Sequence, residues 1–277
     1  MSTAERTSPA GVPGTAAAAG ETAAPATAAL AAETVAKPTP WRALGLQLAA
    51  IGIGFAALVL WLLTADLTAT EQTTLEPGAL WGYTVDHLAL TAVAAVIALA
   101  IAVPAGVLLT RGPLRKLTGP AMALANIGQA APAIGLVVLL AFWLGFGFWA
   151  AVVALVAYSV LPVMRNTMVG LQQVDRQLVE AGRGMGMSST AVLFKVELPL
   201  AVPVMLAGVR TALVLLVGTA TLATFINGGG LGILITTGVN LNLTTVLIAG
   251  AVLVALLALA VDWLGRVAEQ LARPKGL

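Results

Sequence analysis

The chain has 277 residues, of which 59% are hydrophobic and only 9% charged, with a mean hydropathy of +0.98 and a formal net charge of +2. A soluble domain carries roughly a quarter charged residues, so this balance assigns the chain to a bilayer. The absence of cysteine excludes disulfides and thiolate metal sites, and the lone histidine, His87, cannot build a metal site by itself.

Residues 1–40 are rich in Ala, Thr, Pro and Gly, with no aromatic residue and no apolar run before Trp41. They lack the apolar centre of a secretory signal. This composition predicts a disordered tail. A membrane-spanning helix needs about 20 mainly apolar residues. Ala43–Ala65 is uncharged and is the first such stretch. Leu88–Thr110 is the second, with Pro104 as a kink near its end. Asp86 and His87, just before it, are expected at the membrane interface.

Leu117–Met164 is uncharged and too long for one helix. It divides at Leu144-Gly145-Phe146-Gly147 into spans three and four. Leu198–Val261 is interrupted only by Arg210 and divides around Asn227–Gly232 into spans five and six. Arg210 is expected to snorkel to the membrane face or to pair with Asp262.

The charges fix the direction of these six predicted spans. Lys37 and Arg42 precede span one, while only acids (Asp66, Glu71, Glu76 and Asp86) separate spans one and two. Arg111, Arg115 and Lys116 follow span two; Arg165, Arg176, Arg183 and Lys195 lie between spans four and five; Arg266, Arg273 and Lys275 follow span six. Every basic loop falls on one side, which the positive-inside rule makes cytoplasmic, together with both termini. The long segments must be helical, because a backbone in lipid has to satisfy its own hydrogen bonds.

The connection 165–199 is the one long polar loop on that side. Its sequence fits an amphipathic helix, a turn at Gly186 and a second helix. Glu180 suits a helix start, and Pro199 the first turn of span five. Glu180, Ala181, Gly186, Val196, Leu198 and Pro199 fall at the spacing Glu-Ala-x, three residues, Gly, nine residues, aliphatic, one residue, Leu-Pro. This pattern resembles the signature of permease subunits of ABC importers. Tyr158–Pro162, Arg165-Asn166-Thr167, Gly184–Met187, Val196–Ala201, Ala207–Thr211, Ala220–Ala223 and Gly228–Gly232 are similar to the glycine betaine, carnitine, choline and proline group of these permeases.

The resemblance runs from about Trp81 to the carboxyl end. It implies an all-α polytopic membrane protein of the type I ABC importer permease fold, with a core over 81–265. Span one and its following loop, 41–80, are an addition, and 266–277 is a cytoplasmic tail. The implied location is a bacterial cytoplasmic membrane. Glu180, Ala181, Gly182, Arg183, Gly186, Leu198 and Pro199 are implied to couple the chain to an ABC ATPase. The chain departs from the pattern at Gly182, usually Ala, at Ile233, often acidic, and at Gln129–Ala133.

The phosphate loop Gly-x-x-x-x-Gly-Lys-Ser/Thr is missing, since none of Lys37, Lys116, Lys195 and Lys275 follows a glycine. The chain is therefore expected to be a transport subunit, with no catalytic residue or cofactor of its own and with ATP and Mg on the partner ATPase. Selectivity is expected to rest in a separate solute-binding protein, and the path to need a second permease copy or a sister permease. Asn126, Gln129, Tyr158, Thr221, Thr224 and Asn227 are the polar candidates for that path; for each, a helix–helix hydrogen bond is an equal reading. An importer of another small polar solute, such as an amino acid, fits the same loop. A secondary carrier or membrane enzyme would show more intramembrane ionisable residues.

Overall fold

The computed structural model describes residues 41–272, so the predicted tail 1–40 and the basic residues Arg273 and Lys275 lie outside the described residues. Helix α1 (Trp41–Thr64) is the first apolar segment. A short α2 (Ala69–Thr74) and a turn lead to α3 (Pro77–Leu109), which starts with proline in its first turn, where no helical donor is lost. A 3-10 turn, Gly112–Leu117, follows.

The third predicted span is the one that differs in form. It runs as two shorter helices, α4 (Thr118–Ala130) and α5 (Ala133–Leu144). Pro132 causes the break: the residue before a proline is pushed out of the helical region, and Ala131 is extended at φ −66°, ψ 139°. Gly145 and Gly147 then take positive φ at the predicted Leu144–Gly147 turn, and α6 runs over Phe148–Gln172.

The polar loop contains α7 (Arg176–Gly184) and α8 (Ser189–Val192). One turn of π-helix, Leu193–Glu197, joins α8 to α9 (Leu198–Ala220). A 3-10 turn, Thr221–Ile226, ends at Asn227 in the left-handed region. The chain continues through a short α10 (Gly232–Asn240) before α11 (Thr244–Leu271). The last apolar span therefore starts at Thr244, because a short helix fills the space after the glycine turn. Among the described residues, five helical segments are long and apolar enough to cross a membrane: 41–64, 77–109, 148–172, 189–226 and 244–271.

Helix α6 is the centre of the bundle and packs on both α3 and α9. Small residues permit this, as expected where no hydrophobic effect drives helices together in lipid. Ala94, Ala95 and Ala98 of α3 are buried with Ala150, Ala151 and Ala154 of α6. At Gly208 of α9 the approach is so close that an added Cβ would lie 2.3 Å from Cβ of Asn166. Gly106 of α3 is similarly pressed on Thr167, whose Cβ would be 2.8 Å away.

Helix α1 docks on α11, and polar atoms fix the contact. Gln47 donates to Asp262 at 3.0 Å, and Trp263 donates its indole N–H to the Leu44 carbonyl at 2.9 Å. Asp262 also accepts from Arg266 at 2.7 Å and lies 3.8 Å from Arg210, which lies 3.8 Å from Glu269. The predicted Arg210–Asp262 pairing is present, inside a wider cluster that joins three helices.

His87 faces the interior of the bundle rather than its surface. It is fully buried, with Nε2 3.0 Å from the Val217 carbonyl and Nδ1 accepting the Leu231 N–H at 3.3 Å. These bonds give both ring nitrogens a partner and tie α3 to the end of α9 and to the glycine turn. A charge-based reading sees only the neighbouring Asp86, which is exposed.

Candidate functional site

The loop between α6 and α9 is built from two caps and a glycine. Asp175 caps α7 by accepting from the Gln177 N–H at 2.8 Å. Glu180 is therefore not at the helix start; it lies in the interior of α7, exposed, because the cap is five positions earlier than its charge alone implies. At the other end, Met187 N–H donates to the Gly182 carbonyl at 3.2 Å and Gly186 N–H to the Arg183 carbonyl at 2.9 Å. This pair of bonds is a Schellman motif, and it needs a left-handed residue at Gly186, where φ is +84°. Ser188 then caps α8, its hydroxyl accepting from Ala191 N–H at 3.2 Å.

Gly182 faces inward between the two loop helices. A Cβ there would sit 3.5 Å from Met187 Sδ and from Val192 Cγ2, an ordinary contact. Alanine fits the same space, so the departure at Gly182 changes little in the packing. Ala181, Arg183 and Gly186 are exposed with Glu180, while Leu198 is half-buried and Pro199 exposed.

Pro199 has a consequence beyond ending a loop. It lies inside the continuous helical segment 189–226, so its missing N–H would leave a carbonyl without a helical donor. The segment just before it is a π-helical turn, in which the Leu198 N–H reaches back to the Leu193 carbonyl. Pro199 is thus preceded by helix rather than by a loop. A π-turn of this kind is a rare element that often marks functional sites.

Glu197, the last residue of that turn, is buried and forms a two-point ion pair with Arg111. Nη1 donates to Oε1 at 3.1 Å and Nη2 donates to Oε2. Burial and then the nearby Arg183 guanidinium push Arg111 below its ordinary value. The sequence reading included neither Arg111 nor Glu197 among the coupling residues. Their signal was present, since Glu197 directly precedes Leu198-Pro199, but a single acid in a polar loop carries no pairing information.

The path candidates divide into two sets. Gln129, at the end of α4, donates its side-chain amide to the Tyr158 carbonyl at 3.1 Å. Asn126 is exposed one turn earlier on the same helix. Thr221, Thr224 and Asn227 lie together on the 3-10 turn and its cap, which packs on α5 and α10. Thr221 donates to the Gly218 carbonyl at 2.7 Å, and the Thr224 carbonyl accepts from Asn227 N–H at 3.2 Å. No group of acids and histidines suited to a metal ion occurs among the described residues.

The family described as the binding-protein-dependent transport system inner membrane component matches residues 102–274, which include the whole loop and the last three apolar helices. The chain belongs to this family. It is a multi-pass membrane protein and a transport subunit rather than an enzyme. It is 43% identical to the glycine betaine/carnitine/choline transport system permease protein OpuCB of Bacillus subtilis (strain 168), over 69% of this chain and 88% of that protein. It is 39% identical to the osmoprotectant import permease protein OsmW of Salmonella typhimurium, over 72% of this chain and 94% of that one. Among solved structures, the inward-facing MetNI methionine ABC transporter aligns with a TM-score of 0.63 and 26% identity, covering 72% of this chain and 99% of that one. The all-α permease fold implied by the resemblance is the fold found.

Proposed function

We propose that this permease forms the translocation path for small osmoprotectants, such as glycine betaine, choline, carnitine or proline, and is driven by a separate ABC ATPase. The observation that carries the coupling is the loop itself: two capped helices joined by a Schellman turn at Gly186, displayed on the basic end of the bundle. By the positive-inside rule that end and both termini are cytoplasmic, in a bacterial cytoplasmic membrane. Glu180, Ala181, Gly182, Arg183 and Gly186 form the docking element, and the segment through Leu198 and Pro199 carries its motion into α9. ATP and Mg belong to the ATPase.

The substrate class rests on the relatives' names, led by the 43% identical permease of a glycine betaine, carnitine and choline system. A solute-binding protein presents the solute on the far side. A second copy or a sister permease completes the path, which Asn126, Gln129, Tyr158, Thr221, Thr224 and Asn227 help to line. Helix α1 and the loop to residue 80 are an addition to the core over 81–265. An amino-acid importer is the second reading, supported by the fold match to a methionine transporter at the lower identity of 26%. Competition of unlabelled betaine, choline, carnitine, proline and methionine for uptake separates the two: methionine as the sole competitor would overturn the osmoprotectant reading.

A further inference from the structure

We infer that Arg111 and Glu197 form a clasp that passes motion of the coupling loop to α3, making Arg111 a positioning residue for energy coupling. The inference rests on the loop being the ATPase docking element.

The loop is continuous in the chain with only two long helices, α6 before it and α9 after it. Helix α3 is distant in sequence, yet Arg111 lies just beyond its end and reaches Glu197 at the junction of the loop with α9. The geometry suits force transmission. A guanidinium and a carboxylate joined at two points resist rotation as well as separation, which a single hydrogen bond does not. Glu197 is 5% exposed, so water competes weakly for it.

The π-turn adds the second reason. Residues 193–197 are wound differently from the helices on each side, and Glu197 closes that turn immediately before Leu198-Pro199. A push on the loop therefore enters α9 at a non-standard turn, where the hydrogen-bond pattern is already displaced. The clasp fixes this turn to the end of α3, so that α3 and α9 move together. Arg183, on the docking helix, faces the same pair closely enough to act on Arg111. The two guanidiniums repel each other, so a change in Arg183's position on docking alters the field at the clasp.

The chain contains no cysteine, so single reporters are clean. In the reconstituted complex with its ATPase, Leu114→Cys reports on the turn after α3 and Met185→Cys, 73% exposed, reports on docking. Maleimide labelling is compared before and after trapping with ATP and vanadate. Met185→Cys should be protected whenever the ATPase is bound, with or without the clasp. Labelling of Leu114→Cys should change on trapping by about fivefold or more, the lower range of measured site-to-site coupling. R111A and E197A should abolish that change, and the charge swap R111E/E197R should restore it. If either single variant fails to assemble, R111K keeps the charge without the fork and should retain only part of the change. A change that persists in R111A, a change of full size in R111K, or no change in the unmodified pair overturns the clasp. Unprotected Met185→Cys overturns the docking reading, and the clasp with it.

Discussion

The side-chain amide of Gln129 donates to the main-chain carbonyl of Tyr158 at 3.1 Å, and Pro162 explains why that carbonyl is free. Proline has no N–H to return to the carbonyl four residues earlier, and that carbonyl belongs to Tyr158. An apolar environment penalises such an orphan, so a side chain from another helix replaces the missing donor. Two residues read from sequence as path candidates are thus joined by a helix–helix hydrogen bond.

Removing that donor should destabilise the fold through Tyr158. Q129L is expected to cost about 1–3 kcal/mol, the penalty for an unsatisfied buried carbonyl. P162A restores a helical donor and should make Gln129 dispensable. Thermal unfolding in detergent of the two single variants and the double variant checks this, with the double variant close to P162A alone.

The approach of α9 to α6 predicts a sharp contrast between two glycines. G208A places a methyl against Asn166, where an added Cβ has only 2.3 Å, and is expected to lower the amount of folded protein in the membrane strongly. Gly218 has nothing within 4 Å of an added Cβ, so G218A should be accommodated. Membrane-fraction yield and unfolding temperature measure both.

Gly186 should act through the loop's shape and not through the bundle. Its φ of +84° strains any residue with a Cβ, and G186A is expected to cost about 1 kcal/mol locally. ATPase copurification should fall while the unfolding temperature of the isolated chain stays nearly constant. Gly184, helical and open around its Cα, provides the control: G184A should copurify as before.

Acid should loosen the connection between α1 and α3. Hydrogen bonds from the Thr68 backbone, the Thr68 hydroxyl and the Thr245 hydroxyl hold the Glu71 carboxyl below its ordinary value, against a smaller opposing effect of burial. A lowered folded value means that the stabilisation is complete above the ordinary glutamate value of about 4.3 and is lost as pH falls from there through the folded value. Amide exchange in residues 69–75 should accelerate over that window, and E71Q should flatten the response.

What was legible in the sequence follows from which signals are local. The glycine turn at Leu144–Gly147, the left-handed Gly186 and the Arg210–Asp262 pairing were readable because conformation or a scarce intramembrane charge singles each out. The break at Ala131 was carried by Pro132, but hydropathy averages over it and shows one uninterrupted apolar run. The position of Glu180 was misjudged because Asp175 is the stronger cap and only the hydrogen bond identifies it. The partners of His87 and Arg111 were not readable, because they are 144 and 86 residues away in the chain. Long-range polar pairs of this kind leave no periodicity.

The central claim is that this permease moves an osmoprotectant only when an ATPase drives its loop. The most direct test is uptake of labelled glycine betaine, choline and carnitine into vesicles containing the full complex, with the ATPase and solute-binding protein present or omitted. ATP-dependent accumulation is expected, and it should disappear when the ATPase is omitted and in the loop double variant E180A/G186A, which should still insert. Accumulation that continues without the ATPase, or that is unchanged in the loop variant, would contradict the central claim.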